Sequence, residues 1–289
     1  MDEIKLLNLN QLHDFANHPF KVEENTELCE LMRSIETEGV LVPLLARPNP
    51  NGEGYELISG HRRKAACAWA GVTDVPVVVR DLDDNQAVIT MVDSNLQREH
   101  IKPSEKAYAY KMKLEAMNRQ GQRTDITSAQ VEPKSGLLER SNELLAKQVG
   151  ESVAQIKRYV RLTNLIPKIL DMVDDGKIAF TIAVELSYLK EEEQYELHAV
   201  MDLEQCTPSL SQANRMKRMS QSGELDMDMM YEVLGEEKPN QREQINADSL
   251  SKYFPPDFTP KQKVELIEQL VKDWHEQQAI VPVRKGRGR

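Results

Sequence analysis

NELLAKQVGESVAQIKRYVR, residues Asn142 to Arg161, has the spacing that a DNA-reading helix-turn-helix requires. Ser141 stands where an N-cap would open a first helix, and the small Ala146 lets a second helix cross it closely. Gly150 falls at the tight turn, where a permissive backbone is needed. Beyond it Val153, Ile156, Tyr159 and Val160 recur at helical spacing and form the face expected to be buried. Ser152 opens this second helix, and Ala154, Gln155, Lys157, Arg158 and Arg161 then point outward, the set that a recognition helix carries into a major groove. The alternative is an ordinary helical hairpin with a solvated basic face.

The formal net charge of -10 argues at first against a nucleic-acid partner, so the distribution of charge decides. Between Lys134 and Lys168 seven Lys/Arg face three Glu, whereas between Ser222 and Leu250 eight Asp/Glu face two Lys/Arg. The whole-chain value therefore hides a basic module beside an acidic one. Three widely spaced cysteines, Cys29, Cys67 and Cys206, form no CxxC pair, which points away from a disulfide framework or a zinc site. The N-terminus has neither a basic nor an apolar targeting segment, and no apolar run approaches the ~18 residues of a membrane span. A soluble, cytoplasmic, nucleoid-associated protein with no membrane partner is expected.

With 289 residues the chain has room for about two domains and their connections. Leu28, Leu31, Met32 and Ile35 predict a helix over Thr26 to Glu38, stopped by Gly39. Val40 to Arg47, Tyr55 to Ile58 and Val75 to Arg80 read as short strands, with an Ala-rich helix from Arg62 to Ala70 between the last two. Pro103 to Gln120 reads as a long helix, Gln122 to Ser135 as a polar loop, and Leu165 to Val173 and Ile178 to Leu189, separated by a stop at Asp175-Gly176, as further helices. The predicted class is α+β. A small mixed α/β domain would occupy residues 1–100 and an all-α helix-turn-helix domain 101–200. An acidic linker over 201–250 would then lead to a C-terminal helix and basic tail over 251–289. That last helix aligns Val264, Ile267, Leu270, Val271 and Trp274 on one face, a candidate dimer contact.

A second constellation is Ser59-Gly60-His61-Arg62-Arg63-Lys64, at a strand-to-helix turn. A glycine there, followed by cations over the first helical turn, suits a polyphosphate, because free backbone N–H groups and the positive helix end face the anion. Asp93-Ser94-Asn95-Leu96-Gln97-Arg98-Glu99, followed by Lys102-Pro103-Ser104, clusters polar groups at a break between two helices, which suits a ligand or metal contact. His13, His18, His100, His198 and His275 are scattered and read as surface or cap residues.

These segments, in this order and followed by this helix-turn-helix, resemble the ParB/RepB partition-protein family over roughly the first two hundred residues. The resemblance implies a CTP-binding N-terminal domain, with the nucleotide site drawn from Gly39, Pro43, Gly60, His61, Arg62, Arg63, Asn95, Arg98 and Glu99. It implies that Asn95 helps hold Mg²⁺; Asp93, adjacent to Ser94, is a further candidate metal ligand. It also implies a homodimer that binds a centromere-like site on double-stranded DNA, closes as a sliding clamp and recruits a ParA-type ATPase. The family commonly has Glu at His61, Gln at Val42 and Glu at Ser94, and the missing carboxylate at Ser94 leaves open whether CTP is hydrolysed to CDP and phosphate. The runner-up is a helix-turn-helix transcriptional regulator with a vestigial nucleotide domain. A cysteine-redox enzyme is unsupported, because Cys67 falls on the helix after the phosphate-type loop, and no catalytic residue is assigned.

Overall fold

The computed structural model of the chain describes residues 4–98, 100–125 and 134–236, with scattered positions between 254 and 273. It divides into two compact units, Met1–Glu236 and Glu237–Arg289.

The first unit begins with strands that periodicity does not announce, β1 (Ile4–Asn8) and β2 (Leu12–Asp14). They are five and three residues long and depend on partners far away in sequence. Helix α1 (Thr26–Glu38) is opened by Asn25, whose side chain accepts from the Leu28 N–H at 3.0 Å, and is closed by Gly39 at φ 73°. Strands β3 (Leu44–Pro48) and β4 (Tyr55–Ser59), helix α2 (His61–Trp69) and strand β5 (Asp74–Val79) follow. The sheet order is β1-β5-β3-β4-β2, with β1/β5 and β3/β4 antiparallel and β3/β5 and β2/β4 parallel. The strand expected from Val40 starts only at Leu44. Leu41 and Val42, 73 % and 63 % exposed, lie in an irregular segment, so the aliphatic run misled.

Alternation along the strands gives the sheet two faces. Ala46, Leu57, Val75 and Val77 pack with Leu28 and Ile35 of α1 and Ala66 and Cys67 of α2. Leu45 and Ile58 face the other way, toward Ala87, Met91 and Val92 of helix α3 (Asp84–Asn95) and Ala109 of helix α4 (Pro103–Asp125).

Helices α5 (Lys134–Val149), α6 (Val153–Leu162), α7 (Pro167–Asp174), α8 (Phe180–Leu186) and α9 (Glu191–Leu203) complete the helical half. Ser141 does not cap α5. It lies inside that helix, buried, and its hydroxyl hydrogen-bonds Asn118 Oδ1 at 2.7 Å. Gly150, at φ 73°, makes the turn, and Ser152 caps α6 through the Gln155 N–H at 3.1 Å. The long α4 joins three apolar clusters. Ala107 packs into the core of α7 to α9, Ala109 under the sheet, and Tyr110 and Leu114 against Leu145, Ala146 and Ile156. One helix with three buried faces explains why the α/β and helical modules form one compact unit.

The acidic linker expected over 201–250 is corrected by two further helices, α10 (Leu210–Ser222) and α11 (Met227–Gly235). Ala213, Met216, Met230, Val233 and Leu234 are buried in the same core as α7 to α9. Its Asp and Glu residues fall largely on exposed positions, so charge density concealed a buried stripe. Residues 237–250, and most of the loop expected at 122–135, lie outside the described residues or their side chains.

In the second unit Thr259 caps a helical segment, donating its N–H to Gln262 Oε1 at 2.9 Å and accepting from Gln262 N at 3.4 Å. Leu270 is 59 % exposed there; Val264, Val271 and Trp274 lie outside the described residues.

Candidate functional site

Gly60 forms the corner between β4 and α2 at φ 108°, ψ 19°. An added Cβ would lie 2.9 Å from Leu44 Cγ and 3.4 Å from Arg63 Nη2, so both the backbone and the space demand glycine. Three successive cations on the first turn of α2 then do three different things. Arg62 Nη2 pairs with Glu27 of α1 at 2.9 Å, an exposed contact that an incoming anion can replace. Arg63 Nη1 donates to the carbonyls of Val42 and Pro43 at 2.6 and 2.7 Å, and burial holds its guanidinium below the usual arginine range. Lys64 donates to Leu12 O at 2.8 Å and pairs with Asp14 at 2.7 Å, strapping β2 to the helix. The sequence reading sent Arg63 to the ligand; its Nη1 is engaged with the Val42 and Pro43 carbonyls while the residue also lines the cavity at this corner.

The corner opens into a cavity of about 270 Å³ whose lining includes His18, Gly60, His61, Arg62, Arg63 and Asn95. Arg98 and Lys21 line it too, and together with Arg62 they also line an adjoining cleft of about 640 Å³. Gly60, His61, Arg62, Arg63, Asn95 and Arg98 are thus brought together, whereas Gly39 and Pro43 are not among the lining residues. Glu99 lies outside the described residues.

His18, read from sequence as a surface or cap residue, is half-buried, with its ring stacked on His61 at 3.9 Å between centroids and tilted by 44°. Burial, reinforced by the neighbouring His18, pushes the His61 pKa down to about 3, and burial likewise lowers that of His18. Both rings are neutral at neutral pH. An isolated His-Pro dipeptide gives no signal for this; only the return of α2 beside residues 18–20 does.

The metal expectation fares differently. Asp93 does not join Asn95 at the cavity: its carboxylate pairs with the ammonium of Lys113 on α4 and accepts from Gln148 Nε2 at 3.1 Å. Two residues along a helix turn a side chain by about 200°, which separates Asp93 from Asn95. Ser94 Oγ donates to Met91 O at 2.9 Å, and Asn95 Nδ2 to the same carbonyl at 2.9 Å. Among the described residues no group of three or more His, Cys, Asp or Glu side chains could hold a metal ion. Of the two candidates read from sequence, Asn95 lines the cavity and Asp93 is paired elsewhere.

On the helical half Ser152, Ala154, Lys157 and Arg158 are exposed and Gln155 half-exposed, while Ile156 is fully buried. Arg161 departs from the expected outward set. Its guanidinium carbon lies 3.4 Å from the Tyr188 ring centroid and Lys217 Nζ 3.6 Å from it. Two cations that close to one ring must take opposite faces. Arg161 also donates to Ser187 O at 3.3 Å, so it links α6 to the end of α8. With Lys111, Lys157, Arg158 and Tyr188 it lines a shallow basic cleft of about 420 Å³.

Known proteins match both halves. The ParB N-terminal domain profile matches residues 1–96, and the ParB HTH domain profile matches residues 136–216. The "Probable plasmid-partitioning protein ParB" of Deinococcus radiodurans is 32 % identical over 209 residues, covering 67 % of this chain and 67 % of that protein. The chain belongs to the ParB family. The "Chromosome-partitioning protein Spo0J" of Thermus thermophilus is 34 % identical over 188 residues, covering 65 % and 61 % of the two chains. The "Probable chromosome 1-partitioning protein ParB" of Deinococcus radiodurans is 32 % identical over 178 residues, 61 % of this chain and 53 % of that one. The chain thus spans between half and two thirds of the length of these last two relatives. Among the described residues no helix is long and apolar enough to cross a membrane.

Proposed function

We propose that this ParB-family chain is a sequence-specific DNA-binding partition protein that acts as a CTP-dependent dimeric clamp. In this reading α6 enters the major groove of a centromere-like double-stranded site, presenting Ser152, Ala154, Gln155, Lys157 and Arg158. Arg161, in the same basic cleft, fixes the helix against Tyr188. The triphosphate sits at the Gly60 corner, where free N–H groups at the start of α2 and the cations Arg62 and Arg98 offset its charge. Arg63 shapes the wall through the Gly39–Pro43 segment, Asn95 and His61 complete it, and Glu99 follows in sequence. The homodimer, a ParA-type ATPase partner and a cytoplasmic, nucleoid-associated location belong to the same reading.

The observation that carries it is the union, on one unit, of a helix α6 with an exposed basic face and an arginine-lined glycine corner, α6 and the β4 strand before the corner both packing on α4. Asn95, in the cavity wall, is the side chain that would offer an oxygen to a Mg²⁺ bound with the nucleotide, where the cation would offset phosphate charge. Turnover to CDP and phosphate is then very slow. Calorimetry with CTP on wild type and Arg62→Ala tests the reading. Binding by wild type, its loss in Arg62→Ala and unchanged initial DNA affinity are expected. Silence in the wild type refutes it. One alternative, a helix-turn-helix regulator with a vestigial nucleotide domain, is favoured by Ser94, whose neutral hydroxyl is engaged with the Met91 carbonyl. Chromatin immunoprecipitation separates the two, since a clamp spreads from its site in a broad peak and a fixed repressor gives a narrow one.

A further inference from the structure

Three contacts fix the His18 ring, and none uses its Nε2. Nδ1 lies 2.7 Å from the carbonyl oxygen of Phe20. A carbonyl can only accept, so Nδ1 carries the proton and donates. The ring also meets Phe20 edge-on at 5.7 Å and stacks on His61 at 3.9 Å. Because burial keeps the imidazole neutral, the proton on Nδ1 leaves Nε2 as a bare lone pair. That atom is buried and has no hydrogen-bond partner among the described residues, and the same holds for His61 Nε2. Unpaired buried polar atoms are rare in native proteins, and each calls for an explanation. Here both belong to rings in the wall of the cavity that begins at the Gly60 corner.

We propose that His18 is a specificity-determining residue of this cavity, its Nε2 accepting a hydrogen bond from an N–H or O–H group of the bound nucleoside triphosphate. The proposal rests on the nucleotide reading above and deepens it. A bare lone pair repels phosphate and carbonyl oxygens, so His18 does not serve the triphosphate, which is left to Gly60, Arg62 and Arg98. It selects instead for a ligand that presents a donor. In a cytidine nucleotide that donor is either the exocyclic amine of the base or a ribose hydroxyl. His61, stacked on His18, is a positioning residue that holds the acceptor's plane before the ligand arrives.

The test measures binding of CTP, UTP and 2′-deoxy-CTP to wild type, His18→Phe and His18→Gln by calorimetry. UTP lacks the amine and deoxy-CTP lacks one hydroxyl, so the two comparisons separate the sources. Wild type is expected to favour CTP over one of them about tenfold or more, because a buried acceptor left unpaired penalises the wrong ligand. His18→Phe keeps a ring but removes the acceptor, and the preference should collapse to within about twofold. His18→Gln, whose amide oxygen can take the place of Nε2, should recover part of it. A preference unchanged in His18→Phe, or no preference in wild type, overturns the proposal while leaving the nucleotide reading intact. Failure of wild type to bind any of the three overturns both. A measurement that needs no variant runs in parallel: in ¹⁵N-histidine spectra of wild type, one unprotonated imidazole nitrogen should move upfield on CTP addition, as an acceptor does. No movement under saturating CTP refutes the assignment.

Discussion

Lys113 is the most deeply buried charged side chain among the described residues. Its side chain is 1 % exposed, its ammonium pairs with Asp93 of α3 and donates to Gln148 Oε1 of α5 at 2.5 Å, and Gln148 Nε2 returns to Asp93 at 3.1 Å. This closed triad joins the end of α3, whose Asn95 lines the cavity at the Gly60 corner, to the first helix of the helix-turn-helix. Removing one partner of a buried pair costs ~3–5 kcal/mol, because the other charge stays desolvated and unpaired. Asp93→Ala leaves the ammonium in that position with only an amide, so the full range applies. Lys113→Met leaves a carboxylate that is still 35 % exposed, and water screening reduces the expected loss to ~2–3 kcal/mol. Removing both charges in Lys113→Met/Asp93→Leu exposes neither penalty and should recover ~1.5 kcal/mol or more relative to the sum of the single changes. Urea unfolding monitored by circular dichroism gives all three values. The reasoning is refuted if either single variant lies within ~0.5 kcal/mol of wild type, or if the double variant is simply additive.

Three further outcomes follow from other parts of the molecule. Arg158→Ala and Lys157→Ala should each weaken DNA binding in fluorescence anisotropy, by ~1–3 kcal/mol with relaxed sequence preference for a base contact, or with a salt slope reduced by about one for a phosphate contact. Gly60→Ala should lower stability by at least ~1–2 kcal/mol from the left-handed backbone alone, with the Leu44 contact adding to it, and a melting temperature equal to wild type would contradict the corner geometry. His61 takes up a proton near 6.5 in the unfolded chain but only at about 3 in the fold, so its contribution is present above pH 6.5 and is lost as the pH falls toward 3. Between pH 7.5 and 5 that loss amounts to about 2 kcal/mol, and it should be absent in His61→Phe when the two proteins are unfolded in parallel.

Periodicity made the local elements legible. Leu28, Leu31, Met32 and Ile35 marked α1, and Gly150 between apolar stripes marked the helix-turn-helix. The glycine after β4 marked the corner into α2, since a helix N-terminus is a local property of a few residues. Charge composition misled where it averaged over two faces of one helix, which is why α10 and α11 read as linker.

What only the tertiary structure decided is which partner each polar group found. Arg63 turned to the carbonyls of Val42 and Pro43, Asp93 to Lys113, Arg161 to Tyr188, and His18 to His61. Each of these pairings joins residues 20 to 43 positions apart. Burying an apolar stripe needs only a helix of the right period, whereas the choice among ion pairs, carbonyls and aromatic rings depends on which elements pack together, and α4 sets that by burying three faces at once.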